Sequence, residues 1–458
     1  MNKLPESFSG SRCLLYGFGR SGIALAKWLI KNGADVRVFD EKKTESDIFY
    51  AAEKGGCEGI DVFKGKEGFK TDFLFRTPGV RPNTQTISEM VSNGAVLSSE
   101  ADLFLSRAKG KIYGITGSDG KTTTTTLTGK ILENAFKNTE KRVFVGGNIG
   151  VPLVSFLDGL TDTDVTVAEL SSFQLMTAER SPFVSAITNI TENHLDYHTN
   201  MREYVAAKCR IFSEEGCSEL VTNTQTLAQI KKTCSIRNRE RFPKKITEIS
   251  TLGDNADVFI KNGAVYLYGE RVLDIASIRI PGFHNVENYM SAIGITKNDA
   301  SFADVQNVAE SFSGVPHRME LVREKDGVSY VNSSIDSTPS RSIATIRCIE
   351  KPLTVICGGY DKKLDYGELA EELVKRADNV VLTGDNAFKI KKALDKHLYK
   401  GYECNVYCEK SFETAVQRGA AVTVKGGTVL LSPASASFDA FANFEERGNM
   451  FKSIINSL

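Results

Sequence analysis

Short apolar runs rich in strand-forming residues alternate along the chain with longer stretches whose apolar residues recur at helical spacing. Runs of the first kind predict buried strands, and stretches of the second kind predict amphipathic helices. Strands that alternate with helices are typical of α/β proteins with largely parallel sheets, so an α/β fold is predicted. Strands are predicted at 12–16, 35–39, 73–75, 111–113, 165–168, 185–189, 329–331, 353–357, 380–383 and 428–431, and helices at 23–30, 101–107 and 202–212.

A glycine-rich stretch at 114–122 lies between a predicted strand and a helical run. It reads Gly-Ile-Thr-Gly-Ser-Asp-Gly-Lys-Thr, with Ile115 where the strict P-loop pattern has its first glycine. Glycines at a strand-to-helix turn let backbone amides point inward, and the helix N-terminus adds the positive end of its dipole, so such a turn binds phosphate. We expect Lys121 to reach the terminal phosphates of a nucleotide and Thr122 to hold a magnesium ion.

A second glycine-rich turn, Gly-Phe-Gly-Arg-Ser-Gly at 17–22, follows the first predicted strand. Asp40 ends the next strand, 18 residues after the last glycine of that turn. This arrangement is typical of a Rossmann-type unit, which binds a dinucleotide or another nucleotide with a diphosphate and a ribose. The predicted turn at 77–79, Thr-Pro-Gly, offers a further hydroxyl to a phosphate or sugar.

Ionisable side chains follow two predicted strands in the central part of the chain. Glu169 ends the strand at 165–168, and His194 lies beyond the strand at 185–189. Because open α/β sheets bind ligands at the carboxyl ends of their strands, we expect both residues near the phosphate loop. Magnesium accepts oxygen ligands readily and imidazole rarely, so chemistry alone favours Glu169 as its ligand. Taken by itself, Lys208 on the predicted helix at 202–212 is interpreted as a surface lysine.

Several motifs together resemble those of the Mur ligase family, and in particular of its D-glutamate-adding members. They are the phosphate loop, Gly-Asn-Ile-Gly at 147–150, Glu-Leu-Ser-Ser-Phe-Gln-Leu at 169–175, Ala-Ala-Lys-Cys-Arg-Ile at 206–211, Gly-Phe-His-Asn-Val-Glu-Asn at 282–288, His-Arg-Met-Glu at 317–320 and the string at 431–448. The resemblance implies three domains: a Rossmann-like nucleotide-binding domain at 1–100, a central P-loop-type ATPase with a mainly parallel sheet at 101–314, and a C-terminal Rossmann-like domain at 315–458 that binds the amino acid.

The resemblance also implies the reaction. It is that of an ATP-dependent amide ligase that adds D-glutamate to UDP-N-acetylmuramoyl-L-alanine through an acyl-phosphate intermediate, in the synthesis of peptidoglycan precursors. The implied catalytic residues are Lys121, Glu169, His194 and Lys208. In this family the lysine that matches Lys208 is carbamylated, so the implied ligands of two Mg²⁺ ions are Thr122, Glu169, His194 and carbamylated Lys208.

The matching motifs assign three groups of binding residues. The implied ATP site comprises Gly114, Thr116, Gly117, Ser118, Asp119, Gly120, Lys121, Thr122, Thr123, Asn285, Asn288 and Arg318. The implied UDP-substrate site comprises Gly17, Arg20, Ser21, Asp40, Thr77, Pro78, Gly79, Asn148 and Ser171. The implied D-glutamate site comprises Ser337, Lys362, Ser437 and Phe444.

One position departs from the family pattern. Where these ligases typically have Asn-Asp-Ser, this chain has Asn-Ser-Ser at 332–334. Ser333 therefore replaces an acid that contacts the nucleotide, which predicts reduced activity unless another acid compensates. Asp336, three residues further along, is the candidate for that compensation.

Composition limits the partners. Lysine plus arginine and aspartate plus glutamate both number 57, so no net charge draws the chain to nucleic acid or to an anionic membrane. No apolar run approaches the roughly 20 residues of a membrane-spanning helix, and no signal-type apolar core follows the first residues. We therefore expect a cytoplasmic protein that acts on small molecules, and we expect it to be a monomer.

Three alternative functions stay open at this point. An L-alanine-adding muramate ligase would share the Rossmann-type unit. Its amino acid has no side-chain carboxylate, so it has no need of a lysine such as Lys362 to bind one, and it has no reason to carry the Ser-Ser-Phe-Gln string. A relative that binds ATP without turnover would be consistent with Ser333. A nicotinamide-dependent dehydrogenase would account for the first quarter of the chain alone.

Overall fold

The computed structural model describes residues 4–63, 70–195, 197–233, 242–280, 282–361, 364–398 and 404–458. Contacts between residues divide the chain into two compact units, Met1–Phe312 and Ser313–Leu458. The described residues form three mainly parallel sheets, two in the first unit and one in the second, so the predicted α/β fold is confirmed. No helix within these ranges is long and apolar enough to cross a lipid bilayer. The three domain ranges stay a prediction.

The first sheet consists of parallel strands only. Its strands are β1 Arg12–Tyr16, β2 Asp35–Phe39, β3 Asp61–Val62, β4 Phe73–Arg76 and β5 Val96–Ser99, and its helices are α1 Arg20–Lys31, α2 Glu45–Lys54, α3 Gln85–Ser92 and α4 Glu100–Arg107. The strand order is β3-β2-β1-β4-β5. Because the order reverses between β1 and β4, the carboxyl ends of these strands form the crevice in which such sheets bind ligands. The turn at 17–22 follows β1, and the turn at 77–79 follows β4.

The second sheet is the largest. Its strands are β6 Lys111–Thr116, β7 Val143–Gly147, β8 Val165–Glu169, β9 Val184–Ile187, β10 Glu219–Asn223, β11 Lys245–Ser250, β12 Val258–Lys261, β13 Ala264–Leu267 and β14 Glu270–Asp274. Its helices are α5 Lys121–Ala135, α6 Ser172–Leu175, α7 Met201–Ser213, α8 Thr224–Thr233, α9 Phe283–Thr296 and α10 Phe302–Ser311, with short 3₁₀ helices at Leu153–Gly159 and Ile275–Ser277. The order is β14-β13-β12-β11-β10-β9-β6-β8-β7, antiparallel only from β12 to β14.

The third sheet forms the second unit. Its strands are β15 Glu320–Lys325, β16 Val328–Asn332, β17 Leu353–Cys357, β18 Asn379–Leu382, β19 Asn405–Cys408 and β20 Thr428–Leu431, and its helices are α11 Pro339–Ile346, α12 Gly367–Arg376, α13 Ala387–Leu398, α14 Phe412–Val422 and α15 Phe444–Ser457. The order is β15-β16-β20-β17-β18-β19, with β15 antiparallel to β16. The other pairings are parallel, as in a Rossmann-like layer.

The elements predicted from the sequence agree with the structure to within a few residues. The bounds of β1, β2, β17 and β20 are as predicted. α1 begins at Arg20 rather than Ile23, because the glycine turn leads directly into the helix. β6 continues to Thr116, because Gly114 stays in the strand and pairs with both neighbouring strands. The strands from β10 to β14 carried no prediction.

The helix after the phosphate loop, α5, contains five consecutive threonines that begin at Thr122. β-Branched residues lower helix propensity. Their small side chains nevertheless let α5 pack against α9 and the sheet, and Thr126 Oγ1 donates to the Thr122 carbonyl at 2.8 Å. Thr124 Oγ1 donates to Asn288 Oδ1 on α9 at 3.2 Å. Tertiary packing therefore outweighs propensity in this helix.

A buried carboxylate connects α4 to the second sheet. Glu100, the first residue of α4, is 4% exposed, and its Oε1 accepts a hydrogen bond from the Val154 amide at 2.8 Å. Val154 lies in the first turn of the 3₁₀ helix Leu153–Gly159, so the carboxylate satisfies an amide that the short helix leaves open. Burial raises the pKa of Glu100 to about 7.

We predict that Glu100→Gln stabilises the protein at alkaline pH. A carboxyl whose pKa rises from 4.5 to about 7 on folding costs stability as the pH rises through that interval. At about 1.4 kcal/mol per pKa unit, the free energy of unfolding at pH 8 should be about 3 kcal/mol higher in the variant, and the difference should shrink below about 1 kcal/mol at pH 5. Urea denaturation at both pH values measures it. The exposed Glu140→Gln is the control, and an equal difference at both pH values would contradict the prediction.

Candidate active site

The phosphate loop lies at the carboxyl end of β6, the strand that β8 and β9 flank. Two of its glycines have positive φ angles, 155° at Gly117 and 75° at Gly120. A Cβ atom at Gly117 would collide with Thr188 Oγ1, and one at Gly120 would collide with Asn288 Oδ1. Glycine at both positions therefore lets neighbouring side chains reach the loop. α5 begins after Gly120 without a side-chain cap, so its first turn is open to an anion.

Hydrogen bonds join this loop to the segment that follows β9. Ser118 Oγ donates to the Thr191 carbonyl at 3.0 Å and accepts from the Thr191 amide at 2.9 Å. The Asp119 amide donates to Asn189 Oδ1 at 2.8 Å. The segment that carries His194 is therefore held against the phosphate loop, as expected for residues that follow adjacent parallel strands.

Two lysines on different helices contact the same loop carbonyl. Lys121 Nζ donates to the carbonyls of Gly117 and Ser118, each at 2.8 Å. Lys208 Nζ, on α7, donates to the Gly117 carbonyl at 2.6 Å and lies 4.6 Å from the centre of the Tyr204 ring. Two amines so close together suit a site that binds a polyanion.

Lys208 is a buried lysine rather than a surface residue. It is 1% exposed. Burial, followed by the charge of Lys121, lowers the pKa of Lys208 well below its ordinary value. A larger fraction of the Lys208 side chain is therefore in the neutral amine form than in an exposed lysine. The neutral amine is the nucleophilic form.

Glu169 carries the feature that best fits a cation. It ends β8 and is 1% exposed. Its Oε1 accepts a hydrogen bond from Asn148 Nδ2 at 2.8 Å, while its Oε2 is buried without a hydrogen-bond partner among the described residues. An unpaired buried carboxylate oxygen is costly, and a hard divalent cation is the ligand that would satisfy it. The residues present therefore fit magnesium.

The other predicted metal ligands surround the loop. His194, with φ of 56°, follows β9, and its ring packs edge-on against Phe173 with the centroids 4.9 Å apart. Thr122 is mostly buried in the first turn of α5. Across the described ranges, no group of three or more His, Cys, Asp or Glu side chains is placed to hold a metal ion. The four predicted metal ligands, Thr122, Glu169, His194 and Lys208, therefore stay a prediction.

The glycine turn at 17–22 contacts two other residues of the predicted UDP-substrate site, Thr77 and Asp40. Gly17 has φ of 93°, and a Cβ there would collide with Thr77 Oγ1. Thr77 Oγ1 donates to the Tyr16 carbonyl at 3.2 Å. Asp40 Oδ2 accepts from the Phe18 amide at 2.8 Å, so this carboxylate stabilises the turn itself. The predicted contact of Asp40 with uridine stays a prediction.

Further residues of the predicted UDP-substrate site lie on neighbouring loops. Arg20 Nη1 donates to the Gly150 carbonyl at 3.1 Å, which brings α1 next to the loop of Asn148. Ser171 caps α6 in a capping box with Gln174. The Tyr197 hydroxyl lies 3.1 Å from the Pro78 carbonyl and donates to it. Ser21 lies in the first turn of α1, and Gly79 lies in the turn after β4.

The asparagines predicted to contact adenine lie on α9 and form hydrogen bonds with each other. Asn288 Nδ2 donates to Asn285 Oδ1 at 3.1 Å. Asn288 is buried, and its Oδ1 accepts from Thr124 on α5. This geometry gives Asn288 a structural role beside the loop, and its contact with adenine stays a prediction.

The predicted D-glutamate residues lie on two loops of the second unit. Ser337 follows β16, and Ser437 precedes α15, which begins at Phe444. Ser437 is buried, whereas Ser337 and Phe444 are half-buried. Lys362 lies outside the described residues. Arg318, the predicted ATP contact in this unit, is exposed in the turn before β15.

A buried arginine that the sequence reasoning missed joins these two loops. Arg447 Nη2 donates to the carbonyls of Ser334 at 2.9 Å and Ser435 at 3.0 Å, and Nη1 donates to the Ala436 carbonyl at 3.1 Å. Burial lowers the pKa of Arg447 to about 10. Its place in the 431–448 string was the only signal that could have identified it.

The departure at Ser333 is accompanied by a buried acid. Asp336 is buried, and its carboxylate accepts hydrogen bonds from Ser432 Oγ, at 2.9 Å, and from the side chains of Ser333 and Thr345. Burial raises the pKa of Asp336 above its ordinary value. A carboxylate is therefore present in contact with residue 333, although it belongs to residue 336.

Two family models match most of the chain. The Mur ligase middle domain matches residues 115–296, and the Mur ligase glutamate ligase domain matches residues 317–435. The UDP-N-acetylmuramoylalanine–D-glutamate ligase of Clostridium perfringens is 38% identical over 465 residues, covering 100% of this chain and 99% of that protein. The enzyme of the same name from Clostridium beijerinckii is 40% identical over 467 residues, with the same coverage of each chain.

Solved structures support the fold at lower identity. The UDP-N-acetylmuramate-alanine ligase of Thermotoga maritima matches with a TM-score of 0.55 and 20% identity, covering 98% of this chain and 99% of that one. The folylpolyglutamate synthase of the same organism matches with a TM-score of 0.54 and 13% identity, covering 78% of this chain and 93% of that one. On the family models and the full-length relatives, the chain belongs to the Mur ligase family.

Proposed function

We propose that the protein is an ATP-dependent ligase that joins D-glutamate to UDP-N-acetylmuramoyl-L-alanine in the synthesis of peptidoglycan precursors. The observation that carries the proposal is the packing of Lys121, Lys208 and Glu169 around one phosphate loop. This arrangement suits a nucleoside triphosphate bound with a divalent cation. The choice of substrates follows the names of the full-length relatives, which are 38% to 40% identical to this chain.

The chemistry requires activation of a carboxylate. A carboxylate does not condense with an amine in water at a useful equilibrium. Transfer of the γ-phosphoryl group of ATP to a carboxylate oxygen of the UDP substrate gives an acyl phosphate and ADP. The amine of D-glutamate then attacks the acyl carbon, the C–O bond to phosphate breaks as the amide forms, and the amine loses a proton. Positioning and electrostatic stabilisation are the main catalytic contributions to such a transfer.

The phosphate loop would bind the triphosphate through its amides and through Lys121. The Lys121 ammonium already lies against the Gly117 and Ser118 carbonyls, within reach of an anion bound to the loop. Its positive charge would offset the repulsion between the γ-phosphate and the incoming carboxylate. Arg318, Asn285 and Asn288 are proposed as further contacts of ATP.

Magnesium would be held by Thr122, Glu169, His194 and Lys208, the last after carbamylation. When bound, the ion supplies positive charge where two anions approach each other. Carbamylation forms a bond between the lysine nitrogen and the carbon of carbon dioxide, with loss of one proton, and it converts the amine into an anionic oxygen ligand. The lowered pKa of Lys208 favours the neutral amine that this reaction requires. Two ions are proposed because the family resemblance implies them.

The two remaining substrates would bind at the sheet ends already described. The UDP substrate would occupy the glycine turn at 17–22 and the turn at 77–79, with Asn148 and Ser171 at its muramoyl end. D-glutamate would lie by the loops that Arg447 joins, with Ser437 close to it. Lys362 is proposed as the cation for its side-chain carboxylate.

Phosphate release by the purified protein tests the proposed function. The assay contains Mg²⁺, ATP and UDP-N-acetylmuramoyl-L-alanine, and it compares D-glutamate, L-glutamate, L-alanine and no amino acid. We expect release that depends on D-glutamate. Equal release without an amino acid, or release with L-alanine alone, would contradict the proposal. Tight ATP binding with no release would favour a relative that binds ATP without turnover.

We predict that Lys121→Ala lowers D-glutamate-dependent phosphate release by at least about 100-fold, because the variant lacks the ammonium that faces the transferred phosphoryl group. Binding of UDP, measured by calorimetry, should stay within about twofold of wild type. Lys130→Ala is the matched control on the same helix, because Lys130 is exposed and pairs with the exposed Glu133. Normal turnover in Lys121→Ala would overturn the assignment.

We predict that Lys208→Ala is inactive and that added acetate restores part of its activity, because a small carboxylate can occupy the place of the carbamate. The same acetate should restore nothing in Lys121→Ala, which lacks a cation rather than an anion. Mass spectrometry under carbon dioxide, with rapid trapping, measures the modification directly in the wild type. Full activity of Lys208→Ala without acetate would contradict the prediction.

A further inference from the structure

A buried histidine lies behind the candidate metal site and belongs to none of the assigned groups. His198 is 1% exposed. Its ring is surrounded by three aromatic side chains, with ring centroids 5.5 Å away at Phe173, 5.3 Å at Tyr197 and 5.2 Å at Tyr204. Burial lowers the pKa of His198 below its ordinary value.

The two ring nitrogens face different groups. Nε2 lies 2.9 Å from Ser172 Oγ, and Nδ1 lies 3.6 Å from Glu203 Oε2. Nδ1 has no hydrogen-bond partner within the described ranges. A neutral imidazole with its proton on Nδ1 directs that N–H to the carboxylate and leaves Nε2 to accept from the Ser172 hydroxyl. The hydrogen bond between Nε2 and Ser172 and the approach of Glu203 to Nδ1 are consistent with this tautomer.

Ser172 connects the imidazole to the segment that carries Glu169. It is the first residue of α6, three positions after the carboxylate, and it is buried. The capping box of α6 uses Ser171 and Gln174. The Ser172 hydroxyl is not part of that cap, and its hydrogen bond goes to His198.

His198 is also fixed to the segment that carries His194. The His198 amide donates to the His194 carbonyl at 2.9 Å. Phe173 packs against both histidines, with its ring centroid 4.9 Å from that of His194. One imidazole thus joins the loop after β8 to the loop after β9, and each loop presents one of the two predicted metal ligands.

The Glu203 carboxylate faces the Nδ1 side of the ring. The same carboxylate accepts from the Thr199 amide at 2.6 Å and from Arg81 Nη2 at 3.2 Å. Glu203 lies on α7, the helix of Lys208. A series of contacts therefore runs from the turn after β4 to the segment of Glu169. Its members are Arg81, Glu203, His198 and Ser172, with hydrogen bonds at both ends and the 3.6 Å approach of Glu203 to His198 between them.

We propose that His198 is a positioning residue that fixes the separation of Glu169 and His194 through its hydrogen bond to Ser172, so that the two side chains can share one divalent cation. The inference rests on the proposed function for the identity of that cation and for the assignment of Glu169 and His194 as its ligands. Groups that orient metal ligands without touching the metal commonly change affinity 10- to 100-fold when they are removed.

Variants at His198 separate the hydrogen bond from packing. The glutamine amide can reach the position of Nε2, whereas the asparagine amide reaches only that of Nδ1. Phenylalanine keeps the ring and removes both nitrogens. We measure the binding of ADP by calorimetry with and without Mg²⁺, and the binding of UDP separately. The gain in ADP affinity that Mg²⁺ produces should fall about tenfold in His198→Phe and in His198→Asn. In His198→Gln this gain should stay within about threefold of wild type. The affinity for UDP should be unchanged in all three variants.

Ser172→Ala tests the same hydrogen bond from its other end. It should reproduce the loss seen in His198→Phe, and the double variant should lose no more than either single variant, because both remove one interaction. Ser185→Ala is the matched control, since Ser185 is also buried on this sheet and donates to the Ile211 carbonyl. It should keep the gain in ADP affinity that Mg²⁺ produces.

Two results would overturn the inference. One is a folded His198→Phe that keeps the full effect of Mg²⁺ on ADP binding. The other is an equal loss of ADP and UDP binding in every variant, which would indicate general damage to the fold. A wild-type protein that binds ADP more tightly with Mg²⁺ yet releases no D-glutamate-dependent phosphate would refute the proposed function and leave the inference about His198 standing.

Discussion

The site depends on the close approach of side chains to the backbone of one loop. Gly117 and Gly120 carry no Cβ, so Thr188 and Asn288 occupy the space that any other residue would fill. The same backbone supplies the carbonyl that both lysines contact. Loop, lysines and carboxylate are therefore positioned together, because the strands β6, β8 and β9 that precede them are neighbours in one sheet. A side chain at either glycine would disturb this arrangement before any ligand bound.

Burial gives ordinary side chains unusual properties at three places in the first unit. It lowers the pKa of Lys208, it leaves Glu169 Oε2 without a hydrogen-bond partner among the described residues, and it lowers the pKa of His198. Each of these states would be lost at an exposed position, where water would solvate the charged or unpaired group. The helix α5 contributes to the burial, because its small threonines pack close to α9 and the sheet. The reactivity of the site thus follows from its packing.

The pattern of apolar and polar residues predicted the features that depend on residues close together in the sequence. Alternating apolar runs identified β1, β2, β17 and β20, and strand ends identified Glu169 and His194 as candidates. Lys208 needed the family resemblance, because nothing in the amphipathic pattern of α7 reveals that its amine is buried. His198 and Arg447 were missed altogether, since their partners are distant in sequence: Ser172 is 26 residues from His198, and Ser334 is 113 residues from Arg447. Such contacts exist only once the sheets have formed.

The hydrogen bond between Ser333 and Asp336 couples the side chains that these two positions can carry. The hydroxyl at 333 donates to a carboxylate that is already buried and already hard to ionise. Restoring the acid of the family pattern at 333, with Asp336 in place, would set two carboxylates side by side in a buried site. Like charges in a buried site repel strongly, so one acid would have to stay protonated. A lineage could therefore move this carboxylate between the two positions only by passing through a sequence that has either both acids or neither.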